Sequence, residues 1–436
     1  MKTQVAIVGG GPGGSAAAIH LAKQGIESVI IEREKFPRFH IGESLTGGSG
    51  DLLREMGLEE AMMARYHPVK YGIWIFGPSG RANWWVPIRT RTPQGQRDTF
   101  SWQVRRSDFD TFLLDTAIER GTTVLAGRAT APIVTADGAV TGVHVEMPDG
   151  SGLDVQSDVL VDASGQKTFL SNAGLTGPKS RGRYSRQIAI YSHFTGVLRD
   201  DGDQWGNTLT FLRQKHHWCW FIPLDSEVTS IGFVVPGDYY QSCGESPEEF
   251  VTRELREFHP ELIRRVAAAR RVEDVHATSN YSYEISDFTG RGWLCVGDAH
   301  RFVDPLFSFG VNITIQEARE AACSIRRYLN GETAGQPRPF ADFEELAGRG
   351  TSTAQLMLDG FWDTTFAFGF LLRKYEEDFV DLFAGRMWGE HEYPAISAMR
   401  ETLAQHYAWH PEDAPEAAHA ASLTSDGSRA AQGGHR

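Results

Sequence analysis

Cysteine is scarce in this chain: Cys219, Cys243, Cys295 and Cys323 are the only four in 436 residues. None sits in a C-x-x-C pair, which argues against a disulfide framework or a structural zinc site and fits free thiols in a reducing compartment. Basic charge is also short. Lys and Arg number 43 against 56 Asp and Glu, a net charge of −13, and an acidic surface repels phosphate backbones, so neither nucleic acid nor an anionic membrane is an expected partner. No apolar run reaches the roughly 18 residues of a membrane span. Met1–Gln4 leads at once into Val5–Val8, too short a segment for a signal peptide, and the expected location is cytoplasmic. Metal-ligand spacing is missing too: His216-His217 lacks a third partner, His300 beside Asp298 reads as a cap or a site residue, and no metal is expected. No repeat of roughly 20–50 residues is visible.

What is present is ordinary in bulk and unusual in one respect. Hydrophobic residues at 41% and charged residues at 23% are globular values that exclude a disordered, collagen-like or coiled-coil chain. The length implies two or more structural units around a large core. The 11 Trp, 12 Tyr and 25 Phe are a rich aromatic supply. Along the chain, Gln4–Val8, Ser15–Lys23 and Ser28–Glu32 read as strand, Ala-rich helix and strand, the opening of a parallel sheet. Val69–Thr99 is strand-like and Trp-rich, and Ser107–Arg120 is helical. Thr123–Ala126, Ala139–Met147 and Val159–Asp162 are strands, and Gln187–Val235 alternates as an antiparallel sheet does. Gly292–Val296 returns as a strand before the helix Val311–Leu329, and Pro337–His410 is helical and aromatic. The expected class is α/β: a Rossmann-like dinucleotide fold over 1–330, interleaved with an inserted antiparallel sheet (about 69–102 and 187–285). A helical segment, 331–410, and a disordered tail, 411–436, follow.

Gly9-Gly10-Gly11-Pro12-Gly13-Gly14 fits G-x-G-x-x-G between a strand and a helix. There Gly9 serves the tight turn, Gly11 the approach of a pyrophosphate and Gly14 close helix packing, with helix N–H groups facing the anion. Glu32 ends the second strand, where an acid accepts hydrogen bonds from a ribose. Gly297-Asp298 follows a later buried strand; an acid at that position reaches a polyol such as the ribitol of FAD, and its plainer reading is a helix cap. Within Gln103-Val104-Arg105-Arg106, Arg105 is placed to meet the flavin phosphates or ring edge, or else is a solvated residue. These elements, in this order over residues 4–315, resemble the FAD-binding fold shared by aromatic hydroxylases, geranylgeranyl-type reductases and flavin-dependent halogenases. FAD is the expected cofactor.

Trp218-Cys219-Trp220-Phe221-Ile222-Pro223 on a strand puts Trp218, Trp220 and Ile222 on one face, two indoles standing side by side. Taken alone the stretch is core. It matches W-x-W-x-I-P in full, however, and so resembles the signature of flavin-dependent halogenases, in which the tryptophans keep substrate from the flavin. Phe302-Val303-Asp304-Pro305-Leu306-Phe307-Ser308-Phe309-Gly310 meets a second signature of that family, F-x-x-P-x-x-S-x-G. A loop entering a helix suits an anion on general grounds. The resemblance implies that Pro305 and Gly310 border the cofactor and that a halide sits near Ser308, Phe309 and Gly310. In Val69-Lys70-Tyr71-Gly72-Ile73-Trp74-Ile75-Phe76, strand alternation puts Lys70 with Gly72, Trp74 and Phe76. In such apolar company an amine loses its proton readily. Its place after Gly42-Glu43-Ser44 is similar to that of the halogenases' essential lysine, which captures or hydrogen-bonds hypohalous acid.

The resemblance therefore implies Lys70, Trp218 and Trp220 as the catalytic set. It implies FADH2 from a separate flavin reductase, dioxygen, and chlorination or bromination of an electron-rich aromatic in secondary metabolism. That ring is free or tethered to an acyl or peptidyl carrier protein. Phe307 stands where tryptophan-specific enzymes carry glutamate, which points to a phenol or pyrrole. Thr46-Gly47-Gly48-Ser49-Gly50 is glycine-rich where relatives have Pro or larger apolar residues, and loosens a helix start. Trp74, Trp218, Trp220, Phe307 and Phe309 are the rings expected around the tunnel. Arg264-Arg265 and Arg270-Arg271 read as a solvated helix face or as a dock for an acidic carrier. The alternatives are an aromatic hydroxylase, then a geranylgeranyl-type reductase, then a non-catalytic flavin-binding relative.

Overall fold

A computed structural model of the chain describes residues 1–415 except 82, 185, 280, 281, 334 and 390–392. Most of the tail expected at 411–436 lies outside the described residues; Pro411–Asp413 forms a 3-10 turn. The chain divides into two compact units, Met1–Thr351 with Val380–Trp388, and Ser352–Phe379 with the residues from Gly389 on.

The first unit is built on five parallel strands in the order Trp293–Cys295, Gly152–Asp162, Lys2–Val8, Ser28–Glu32 and Thr123–Ala126. Antiparallel strands Arg128–Val134 and Val140–Glu146 extend the same sheet. Alternation along the strands feeds two cores. Val5, Ile7, Ile30, Val159, Val161 and Leu294 face the helices Pro12–Lys23, Arg106–Glu119 and Phe309–Leu329; Ala6, Val8, Ile31, Leu160 and Cys295 face the other way. Ala16, Ala17 and Ala18 are fully buried, small enough to let the first helix lie close to the sheet and to the long helix.

A second sheet is ordered Gln187–Thr195, Thr229–Pro236, His217–Pro223, Thr208–Gln214, Gly72–Phe76 and Asn83–Pro87. It is antiparallel as expected except between Thr208–Gln214 and Gly72–Phe76, which run parallel because Gly72–Phe76 enters from a separate stretch of chain. One face carries Leu209, Phe211, Cys219, Phe221, Ile231 and Phe233 and is covered by Phe250, Val251, Phe258 and Leu262 from the helical stretch that begins with Pro247–Glu257. Burial of each such side chain contributes about 1.5–3 kcal/mol. The opposite face carries Trp218, Trp220, Ile222, Tyr191 and His193.

The second unit is helical. Phe368 of Thr365–Lys374 lies 5.6 Å from Phe361 of the preceding helix, Phe368 and Met399 of Pro394–Trp409 both lie against Gly360, and Tyr407 Oη donates to Asp363 at 3.0 Å. Among the described residues no helix is long and apolar enough to cross a membrane, and none of the four cysteines is paired.

Candidate active site

Register brings together the residues expected to hold the cofactor. Val8 pairs with both Asp162 and Ile31, and Asp162 pairs with Cys295, so the glycine turn, Glu32 and Gly297-Asp298 emerge level at the carboxyl ends of adjacent strands, where doubly wound sheets bind ligands. Gly9 has φ +104° and a Cβ there would meet Ala163 O at 2.5 Å. A Cβ on Gly14 would come within 1.9 Å of Gly9 O, so the helix packs directly onto the turn. A Cβ on Gly11 would approach only Arg38 Nη2, at 3.3 Å. Glu32 Oε2 accepts the Gly10 N–H at 2.6 Å and Oε1 that of Glu34 at 2.7 Å, which fixes the carboxylate while each oxygen keeps a lone pair for a ribose hydroxyl. Tyr283 Oη donates to the Asp298 carbonyl at 2.5 Å, and burial, opposed by Arg106 and aided by Glu317, pushes the Asp298 carboxyl up to about 7. These features fit a dinucleotide with a polyol arm: open backbone at Gly11 beside a guanidinium, an acid for a ribose and a second acid for the polyol.

Glu317 carries no sequence signal. Glu317 Oε2, fully buried on the long helix, accepts from Gly297 N at 2.6 Å and lies 2.9 Å from His300 Nε2. His300 in turn stacks on Phe288 at 4.0 Å, which gives it a structural place beneath the Asp298 turn. Arg105 is engaged by Asp225 at 2.7 Å. Its neighbour Arg106 is the buried one, forked onto Asp110 at 2.6 and 2.9 Å and donating to Ile41 O, and it is Arg106 whose charge acts on Asp298.

Lys70 is fully buried. Nζ donates to Ser44 Oγ at 2.8 Å and to Leu45 O at 3.0 Å, and burial alone lowers the amine to about 7. The expected company of Gly72, Trp74 and Phe76 is not what surrounds it. The strand breaks at Tyr71, because Asn207 Oδ1 accepts the N–H groups of both Tyr71 and Gly72, at 2.8 and 3.0 Å. Lys70 pairs instead with Ser101 in a two-stranded ribbon. Trp74 packs with the covered core of the second sheet and stands level with Leu209. It is therefore on the face opposite Trp218 and Trp220, away from the expected tunnel.

Trp218 and Trp220 share a face as expected, 5.9 Å apart between ring centres. Trp220 Nε1 donates to Ser230 Oγ at 3.0 Å and its ring lies 5.5 Å from Tyr191. Trp218 Nε1 is buried with no partner. On the same face, Thr208 Oγ1 lies 2.8 Å from Ser44 Oγ, and His193 Nε2 lies 2.9 Å from Glu43 Oε1. The segment Glu43–Leu45 thus crosses this sheet face with Lys70 attached to it; sequence reasoning had Gly42-Glu43-Ser44 only as a landmark.

In the Phe302–Gly310 loop, Pro305 opens a 3-10 turn, Ser308 adopts φ +60° and the helix begins at Phe309. A Cβ on Gly310 would meet nothing within 4 Å, so the first turn faces open space. Phe307 and Phe309 are buried, 5.8 Å apart. Asp304 Oδ1 accepts from Leu306 N, Oδ2 is buried without a partner, and burial pushes the carboxyl up to about 7. Among the described residues no group of three or more His, Cys, Asp or Glu is placed to hold a metal.

A crevice of this kind at the ends of a doubly wound sheet marks an FAD-binding enzyme, and the family model described as FAD binding domain matches residues 2–337. The chain is 35% identical, over 92% of its length and 96% of the relative's, to a 1H-pyrrole-2-carbonyl-(peptidyl-carrier protein) brominase of Pseudoalteromonas luteoviolacea. It is 26% identical over 92% of its length, and 93% of the relative's, to a 1H-pyrrole-2-carbonyl-(peptidyl-carrier protein) chlorinase of Pseudomonas fluorescens. The solved structure of the flavin-dependent brominase Bmp2 superposes with a TM-score of 0.86 at 35% identity, covering 93% of this chain and 99% of that one. The myxobacterial chondrochloren halogenase CndH gives 0.73 at 26%, covering 94% and 90%. The chain belongs to the flavin-dependent halogenases. It is an oxidoreductase, and its cofactor is FAD.

Proposed function

We propose that the protein chlorinates or brominates an electron-rich aromatic ring, with a pyrrole-2-carbonyl group borne by a peptidyl carrier protein as the first substrate to test and a phenol as the second. The observation that carries this reading is the 35% identity along 92% of the chain with the pyrrole-2-carbonyl brominase. Reduced FAD, supplied by a separate flavin reductase, provides hypohalous acid from dioxygen and a halide ion. Gly9, Gly11 and Gly14 shape the turn that holds the pyrophosphate, with Arg38 beside it; Glu32 holds the ribose and Asp298 the polyol. Arg105 is committed to Asp225 and has at most an outer part in cofactor binding. Pro305 and Gly310 border the ring system, and the backbone at Ser308, Phe309 and Gly310 holds the halide at the head of the long helix. Trp218 and Trp220 keep the aromatic substrate apart from the flavin, and Lys70 receives the oxidised halogen next to the substrate.

The test is incubation with FAD, a flavin reductase, bromide or chloride, and either the loaded carrier protein or a panel of free phenols and pyrroles. Expected is a mass increase of one halogen for each hydrogen lost, abolished by Lys70→Ala while flavin content is retained. Lys70→Arg does not rescue, since a guanidinium keeps its proton. Hydroxylated product, or turnover that needs no halide and tolerates Lys70→Ala, overturns the reading.

A further inference from the structure

Lys70 Nζ makes two hydrogen bonds, and across the ribbon from it the Ser101 hydroxyl is buried without a partner. Ser44 Oγ and Leu45 O take one each, and among the described residues Nζ makes no third bond, although the side chain has 0% exposure. An ammonium carries three donors, whereas a neutral amine carries two and a lone pair. An unmet donor in a dry site is costly, so the acceptor count matches the neutral amine. The lone pair then takes the remaining tetrahedral position at Nζ.

Ser44 accepts from Lys70 only if its own hydroxyl proton points elsewhere, and the structure provides the place. Ser44 Oγ lies 2.8 Å from Thr208 Oγ1, which also accepts from Gln103 Nε2 at 2.8 Å. That amide nitrogen reaches Gly206 O at 3.0 Å, and a backbone bridge joins Ser44 to Gln103. Lys70, Ser44 and Thr208 thus form a hydrogen-bonded run with Gln103 behind it. Ser101 lies across the ribbon from Lys70, Ser44 and the Leu45 carbonyl accept from its amine, and Thr208 and Gln103 stand behind Ser44, all uncharged. The nearest acid along the chain, Glu43, is taken by His193 at 2.9 Å.

We propose that Ser44 is the positioning residue of the halogen-transfer step: backed by Thr208 and Gln103, and with the Leu45 carbonyl beside it, it holds Lys70 as a neutral amine whose lone pair meets hypohalous acid. The chemistry rests on the halogenase reading above; the hydrogen-bond geometry does not. In the first step an N–X bond forms from the lone pair as the O–X bond breaks, and hydroxide leaves with an Nζ proton as water. In the second a C–X bond forms from the ring's π electrons as the N–X pair returns to nitrogen, and the displaced ring proton goes to Nζ. The sum is ArH and HOX to ArX and water, with Lys70 restored.

The experiment follows the Nζ resonance of Lys70 in FAD-loaded, lysine-labelled protein across pH, identified by its absence in Lys70→Arg, together with kcat. Expected for the natural chain is titration near neutrality and a kcat that rises with pH through the same value. Ser44→Asp, by adding a negative charge beside the amine, moves both upward by one pH unit or more. Ser44→Thr keeps both in place, and Ser44→Ala lowers kcat at least tenfold with the KM for the aromatic unchanged. Flavin content and melting temperature show that each variant is folded. A Lys70 that titrates above pH 9, a Ser44→Asp variant that shifts neither readout, or a Ser44→Ala variant with full kcat overturns the proposal while leaving halogenation intact. A Lys70 that follows Ser44→Asp in a protein that never halogenates overturns the transfer step together with the function it rests on.

Discussion

Lys70 occupies a site that charges it only at a cost to the fold, and that cost is measurable without any substrate. Its amine falls from 10.5 in the open chain to about 7 in the buried site, with burial as the sole cause. Below pH 7 both states are protonated, and the folded protein bears the whole penalty of an enclosed ammonium. Between 7 and 10.5 the unfolded chain binds the extra proton, so stability rises with pH at up to about 1.4 kcal/mol per unit. Replacing the ammonium by an apolar chain of similar length removes this dependence. Lys70→Met is thus expected to be stabilised relative to the natural protein most strongly at pH 6–7, with the advantage shrinking towards pH 9–10, and denaturant melts at pH 6.5 and pH 9 measure it. An advantage that is flat across that range would mean the lysine is solvated when folded.

At the scale of elements, the Trp strand is held by what lies opposite it. A Cβ on Gly232 would come within 2.2 Å of Trp220 Cζ2 and 2.5 Å of Tyr191 Cβ, so the indole lies across a glycine in the neighbouring strand. Gly232→Ala is expected to push Trp220 off Ser230 and to cost about 1–3 kcal/mol as overpacking. It would show as a changed tryptophan emission, a lower melting temperature, and more halogenation of a β-diketone trap in solvent relative to product; an unchanged trap-to-product ratio would deny the indoles a part in confining hypohalous acid. This pair was half legible in the sequence. Strand period alone places Trp218, Trp220 and Ile222 together, and the order of glycine turn, Glu32 and Gly297-Asp298 gives the cofactor crevice, because all depend on local spacing. A strand period carried through Tyr71 puts Trp74 on the wrong face, because the Asn207 carboxamide, 136 residues away, interrupts the ladder there. Glu43 with His193 and Gly297 with Glu317 meet only through sheet register and helix placement, which no local pattern encodes. Arg105 and Arg106 cannot be told apart by spacing, since which one turns inward depends on Asp225 and Asp110.

Over the whole molecule, the chain leaves its first unit at Thr351 and comes back to it at Val380–Trp388, and that return explains the glycine-rich run at Thr46–Gly50. The run does not loosen the helix Gly47–Glu55, which Thr46 caps by accepting from Ser49 N at 3.3 Å. A Cβ on Gly48 would meet Ala384 O at 2.5 Å and one on Gly47 would meet Ala384 Cβ at 3.2 Å, so the flat helix face is a seat for the returning segment. Phe383 rests on Phe307 at 5.0 Å, which ties the segment to the Phe302–Gly310 loop. Asp381 fastens it: fully buried, it takes Arg386 Nη1 at 2.8 Å and also pairs with Arg91, while Arg386 Nη2 reaches Asp51 at 2.8 Å. Asp381→Ala leaves two guanidiniums facing an empty site and is expected to cost on the order of 2 kcal/mol. With Phe383 released from Phe307, kcat should fall several-fold, and trypsin should cut after Arg386 at concentrations that spare the natural chain. Equal melting and equal proteolysis in the two proteins would show that the glycine seat, rather than the Asp381 pairs, holds the segment in place.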